Sequence, residues 1–251
     1  MTEDIFVYFK HEYFLLPKIP FTELSTNILK FDSISVEFII DKNNLTGFVI
    51  VLEKELDQTE GENELEDFSK FLTHFICVKT SRLTRCYPSN HNYIMKNGKK
   101  IIGNSFTHIY KNEGAPAKLN IKDELVKIYK SSNPHIKQYI SYLAKTIIFY
   151  QQGFPDHSII EAFKIVEDDK NFIHYTMYCA LRNILAHSPY YWSNTINYFK
   201  KSFNRDDFDY LKYEPENKLI VLDLDSNKTL KKLNKIVVEL ISHLKIYLNL
   251  E

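Results

Sequence analysis

The apolar residues of this chain repeat with one period before about residue 112 and with another after Ile121, and that single change limits the folds open to it. In ISVEFII, residues Ile34, Val36, Phe38 and Ile40 fall on one face of an extended strand. FVIVLEKE, residues 48–55, is rich in β-branched and aromatic side chains and follows a turn at Gly47. YIMKNGKKIIG sets Asn97-Gly98 between two apolar runs, the strongest short hairpin signal a single sequence offers. Residues 1–115 are therefore expected to form a mainly antiparallel β domain with one helix near residues 63–78.

From Ile121 the helical period takes over. KDELVKIYK reads as a short helix, and Asn133-Pro134 marks a break with Pro134 in the first turn of the next, PHIKQYISYLAKTIIFYQQ, which closes near Gly153. Asp156 is a candidate cap for HSIIEAFKIVEDD, a third helix covers roughly residues 172–186, and Ser193 is placed to cap a fourth, NTINYFKKSF. A β-hairpin is expected around Glu216-Asn217. Ser226 then caps a terminal helix with an apolar stripe of Leu233, Ile236, Val237, Leu240, Ile241, Leu244 and Leu248. The fold class expected is α+β: the β domain, then an all-α bundle over residues 121–251 with an inserted β-hairpin.

Composition excludes several classes of function. With 251 residues, 44% of them hydrophobic and 25% charged, the chain can bury a sizeable core. The six glycines have no spacing of a dinucleotide loop, a Walker loop or a nucleophile elbow, and the nine histidines form no HExxH, so no cofactor and no metal site is expected. Cys77, Cys86 and Cys179 are odd in number and far apart, which reads as buried free thiols. The opening MTEDIFVYFKHEYF carries acids where a secretory signal carries basic residues, and no uncharged run approaches a membrane span, so a cytoplasmic protein is expected.

One polar phrase closes an apolar helix: CALRNILAHSPYYW, residues 179–192. Tyr178, Leu181, Leu185 and Ser188 recur at three- and four-residue spacings as a core-facing side, and Arg182, Asn183 and His187 fall elsewhere. On an ideal helix the five-residue step leaves Arg182 and His187 about 140° and about 7.5 Å apart. They share a face only if the helix ends between them, and Pro189 favours that by disfavouring helical geometry at Ser188. An arginine, four to six residues and a histidine is a short pattern that arises by chance about 0.4 times in a chain of this composition. Arg85 and His91 also fit it, across a proline-containing stretch with no helix to fix them. A structural reading stands beside the catalytic one: a histidine in a last turn favoured by the helix dipole, and an arginine paired with a carboxylate.

The phrase Arg182-Asn183-Ile184-Leu185-Ala186-His187, on the third helix of a bundle, resembles the signature of the HEPN superfamily. The resemblance covers residues 121–251. It implies a metal-independent endoribonuclease of toxin-antitoxin, abortive-infection or other antiviral-defence systems, and a β-rich domain ahead of such a bundle resembles the ApeA-like abortive-infection proteins. Some HEPN toxins carry a tyrosine two residues before the histidine, which a partner nucleotidyltransferase modifies; Leu185 stands there in this chain.

The residue types suit the chemistry. RNA carries its own nucleophile, the 2′-hydroxyl, so cleavage needs a base for its proton and positive charge where the phosphorane forms. An imidazole at His187 suits the first task and the forked guanidinium of Arg182 the second. Asn183 either bonds a phosphate oxygen, orients a neighbour, or is an exposed helix residue. Glu161, on the preceding helix, either holds Arg182 or is a solvated glutamate. One copy is short of an acid for the leaving 5′-oxygen, so a homodimer is expected to bring two Arg182/His187 pairs to one cleft, and HEPN nucleases generally build their site that way. An antitoxin or other defence partner follows from the same resemblance. A catalytically silent module that binds RNA or nucleotide, or serves as a dimerising scaffold, is the alternative.

Lys+Arg and Asp+Glu both total 32, so global charge points to no partner. Its distribution is uneven. From Phe68 to Asn112 there is no acid, and Arg82, Arg85, Lys96, Lys99 and Lys100 stand there among aromatics; the run from Glu53 to Asp67 is strongly acidic. Two accounts fit: an RNA-binding surface with aromatics for unstacked bases, or two parts of one domain that attract each other.

Overall fold

The computed structural model describes residues 4–20, 27–104, 121–131, 133–186, 190–191, 211–214, 219–222 and 226–250. The chain divides into two compact units, Met1–Lys137 and Gln138–Glu251.

The first unit is built on a long central strand, β1 (Phe6–Pro20), flanked by β4 (Asn44–Leu52) and β5 (Arg85–Met95). With β2 (Ile28–Phe31), β3 (Ile34–Asp41) and β6 (Lys100–Asn104) they form a six-stranded antiparallel sheet in the order β2-β3-β4-β1-β5-β6. In β3, Ile34, Val36 and Phe38 are buried and Glu37 is exposed, the alternation expected of a half-covered sheet. The Asn97-Gly98 hairpin is present: Gly98 takes φ 84°, in the left-handed region that glycine adopts without a Cβ clash, and joins β5 to β6. β1 carries no simple alternation, and its pairing with β4 shifts register between Phe14 and Ile19 around Pro17.

Helix α1 (Gln58–Thr80) starts earlier than the apolar period suggests, because Asp57 caps it, accepting from the Glu60 amide at 2.8 Å. Gly61, in its first turn, is buried where a Cβ would overlap the ring of Phe9, so a residue poor in helix propensity is required by the close approach to the sheet. Leu65, Phe68, Leu72, Phe75 and Ile76 make its buried face; each such side chain contributes about 2 kcal/mol by leaving water. Helix α2 (Ile121–Tyr129) ends on an aromatic cluster in which the Tyr129 ring lies 4.8 Å from Phe31 and 5.4 Å from Phe68. That contact, with the Lys79–Glu124 ion pair at 2.7 Å, places α2 in the first unit. The division at Lys137/Gln138 therefore falls later than the junction expected between residues 115 and 121.

The second unit contains α3 (Ile136–Gln151, its first two residues ahead of the division), α4 (Pro155–Val166), α5 (Tyr175–Ala186) and α6 (Asn227–Tyr247). α4 packs on both α5 and α6. Leu143, Ile147, Ile159, Phe163, Leu181, Ile184, Val237 and Leu240 are among the buried side chains. The Ser158 hydroxyl donates to the Thr146 carbonyl at 3.0 Å and ties α4 to α3. Three capping details differ from expectation. α3 begins two residues after Pro134, the cap position of α4 is Phe154 with Asp156 inside the first turn, and Ser226 sits at the cap of α6 without a side-chain capping bond.

The expected hairpin around residues 216–217 is flanked by β8 (Leu211–Glu214) and β9 (Leu219–Leu222), which pair antiparallel. A short strand, β7 (Tyr190–Tyr191), joins β9 and was not expected, so the helical unit carries a three-stranded sheet. The helix expected after Ser193 lies outside the described residues. The fold is thus mixed α+β with its strands mostly N-terminal. No helix among the described residues is long and apolar enough to cross a membrane.

Candidate functional site

The residues of the polar phrase are positioned by α5. Its buried face is Tyr178, Ala180, Leu181 and Ile184; Leu185, expected in the core, is only half-buried, because a one-residue rotation brings Ile184 inward. Arg182 and Asn183 stand half-buried at the margin of that face. The Arg182 guanidinium lies 5.6 Å over the ring of Phe163 on α4, and its Nη1 donates to Asn183 Oδ1 at 3.0 Å. The Asn183 amide nitrogen in turn lies 3.9 Å from Cys179 Sγ. Stacking and the asparagine together orient the arginine. Asn183 thus contacts Arg182 directly.

Glu161 does not hold Arg182. Its Oε1 accepts from Lys164, one turn along α4, at 2.6 Å, and its Oε2 is buried without a hydrogen-bond partner among the described residues. An i,i+3 lysine on the same helix reaches the carboxylate, and the arginine is drawn to the Phe163 ring instead. His187, the second member of the pair, lies outside the described residues, as do Ser188 and Pro189.

The basic stretch in the first unit is partly neutralised. Lys96, beside the hairpin turn, pairs with Glu55 at 2.9 Å and Lys70 with Glu66 at 2.7 Å. The acidic run and the basic stretch thus meet, as the second account of the charge pattern has it. Lys99 and Lys100 are exposed at the tip, Arg85 is exposed on β5 and Arg82 is half-buried after α1.

Two clusters of imidazoles and phenols have no motif in the sequence. In the second unit Tyr178, one turn before Arg182, places its hydroxyl 3.5 Å from His243 Nδ1 on α6, and His174 lies 6.0 Å from His243, ring to ring. Burial, with a smaller contribution from Glu239, pushes the Tyr178 phenol up to about 12. In the first unit His11 and Tyr13 of β1 face His91 and Tyr93 of β5 across one strand pair. Only the pairing register reveals such a group, since His11 and Tyr93 are 82 residues apart.

No family model, curated protein or solved structure matches the chain.

Proposed function

We propose that the chain is a metal-independent endoribonuclease of the HEPN type, acting as a homodimer in a toxin or antiviral-defence role. The observation that carries this reading is the Arg182 guanidinium fixed at the end of an apolar helix by Asn183 and the Phe163 ring. A permanently charged group held in one orientation serves developing phosphorane charge better than a mobile one. In this account the neutral His187 imidazole takes the proton from the 2′-hydroxyl, which attacks the adjacent phosphorus. Arg182 stabilises the equatorial oxygens, and the protonated His187 of a second copy gives its proton to the departing 5′-oxygen. The products are a 2′,3′-cyclic phosphate and a 5′-hydroxyl.

The test is to incubate the purified chain with labelled RNA in EDTA. Cleavage is expected in the parent and lost in Arg182→Ala and His187→Ala with folding intact, and His91→Ala is expected to retain it. Mixing the two inactive variants would show whether one intact half-site per dimer suffices.

The second reading is a silent HEPN-like module that binds RNA or nucleotide or acts as a dimerising scaffold; its scaffold form is favoured by the Lys96–Glu55 pair, which withdraws one candidate RNA contact from the tip. Cleavage in EDTA separates the two readings.

A further inference from the structure

The first unit contains a half-open pocket of about 450 Å³ between α1 and the strands β1 and β5. Cavities of this size are those that take small molecules. Its floor is aromatic: Tyr13 and Tyr93 are 4% and 3% exposed, and the His11 ring stands between their hydroxyls, with Nδ1 3.0 Å from Tyr13 and Nε2 hydrogen-bonded to Tyr93. Both imidazole nitrogens are therefore occupied by phenols, and each ring is locked in place. His11 and His91 each stack on the Tyr93 ring, and Gly103 on β6 leaves space for His91, where any Cβ would overlap the imidazole.

Charge decides what such a chamber would accept. Glu62 and Glu66, one turn apart on α1, both line it, and Lys70 is the lysine of the lining. Lys70 already sits 2.7 Å from Glu66, and Glu62 accepts from two uncharged donors, the Gln58 amide at 2.8 Å and the Tyr93 phenol. Among the described residues no cation lies within ion-pair distance of Glu62. Burial keeps the His11 imidazole neutral down to about pH 4, so it adds no positive charge at neutral pH. An anion entering the pocket would meet a carboxylate with no cationic partner; a cation would meet that carboxylate beside the Tyr13 and Tyr93 side chains.

We propose that this cavity is a binding site for a small organic cation, an ammonium on an apolar or aromatic stem. The ammonium meets Glu62 in a charge-assisted hydrogen bond. The stem occupies the rest of the pocket, beside Tyr13, Tyr93, Cys86 and Pro88. Phosphorylated ligands are rejected by the same carboxylate. The Lys70 ammonium on Glu66 displays at the mouth the contact the ligand would make inside. The site is independent of the nuclease reading, and the two stand or fall separately.

Calorimetric titration of the full chain tests this, with tryptamine as the cationic probe, indole-3-propionate as its anionic counterpart and adenosine monophosphate as the phosphate. Saturable one-to-one binding is expected for tryptamine alone. Glu62→Gln, a change on a half-exposed helix position, should weaken it roughly tenfold, and Lys70→Met should strengthen it by freeing Glu66. Absence of saturable tryptamine binding at millimolar concentration, equal affinity in Glu62→Gln, or comparable binding of either anion would overturn the proposal.

Discussion

His11 offers a perturbation whose size follows from the structure. The ring is half-buried on β1 between Tyr13 and Tyr93, and its pKa is lowered from 6.5 to about 4, first by burial and then by the neighbouring His91, with Glu62 on α1 acting in the opposite sense. Glu66 and Lys70 on α1 and Cys86 on β5 complete the titratable surroundings. At pH 7 the imidazole is neutral in the folded chain and mostly neutral in the unfolded one, so it contributes little. As pH falls below 6.5 the unfolded chain binds a proton that the folded chain refuses, and stability is lost progressively until about pH 4. Between pH 7 and pH 5 that loss is at most about 2 kcal/mol by linkage. Solvent screening at a half-buried site brings the expectation to about 1 kcal/mol. Urea unfolding of the parent and of His11→Gln at pH 7 and pH 5 isolates it, since every other titrating group is common to both. The parent should lose about 1 kcal/mol more than the variant over that interval. An equal or larger loss in His11→Gln would refute the buried neutral imidazole.

Three further outcomes are expected. Gly61→Ala should destabilise by about 1–2 kcal/mol despite alanine's better helix propensity, because the added methyl meets the fully buried Phe9 ring; thermal unfolding reads this as a lower Tm. Ser158→Ala should cost about 1–2 kcal/mol, since it leaves the Thr146 carbonyl without its hydroxyl donor in the interior of the second unit, and urea titration checks it. The triple change of Lys96, Lys99 and Lys100 to glutamine should flatten the salt dependence of RNA affinity by less than three contacts' worth, because Lys96 already faces Glu55; a loss equivalent to three phosphate contacts would contradict that pairing.

Much of the fold is legible where one segment settles its own conformation. The stripe of α6 identifies a helix because Leu233, Val237, Leu240 and Leu244 recur on one face and are buried together. The Asn97-Gly98 turn is legible because the positive φ at Gly98 is a local demand. β1 is harder to read: Lys10, His11 and Glu12 interrupt its apolar pattern and two prolines lie in its C-terminal part, yet long-range pairing to both β4 and β5 makes it the centre of the sheet. The early turn of α1 is hidden by Gly61 and by acids at Glu60, Glu62 and Glu64, whose positions make sense only once Phe9 and Asp57 are in place. At the candidate site, Arg182 and Asn183 are legible from the motif and the Lys164 that takes Glu161 from its i,i+3 spacing, whereas the Phe163 ring beneath the guanidinium depends on how α4 packs on α5.

The most direct measurement of the central claim is end-group analysis, by mass spectrometry, of RNA incubated with the chain in EDTA. In-line attack by the 2′-hydroxyl predicts fragments ending in a 2′,3′-cyclic phosphate and beginning with a 5′-hydroxyl, none of them formed by Arg182→Ala or His187→Ala. Intact RNA with the parent chain, or the same fragments from either variant at the parent's rate, would contradict the account.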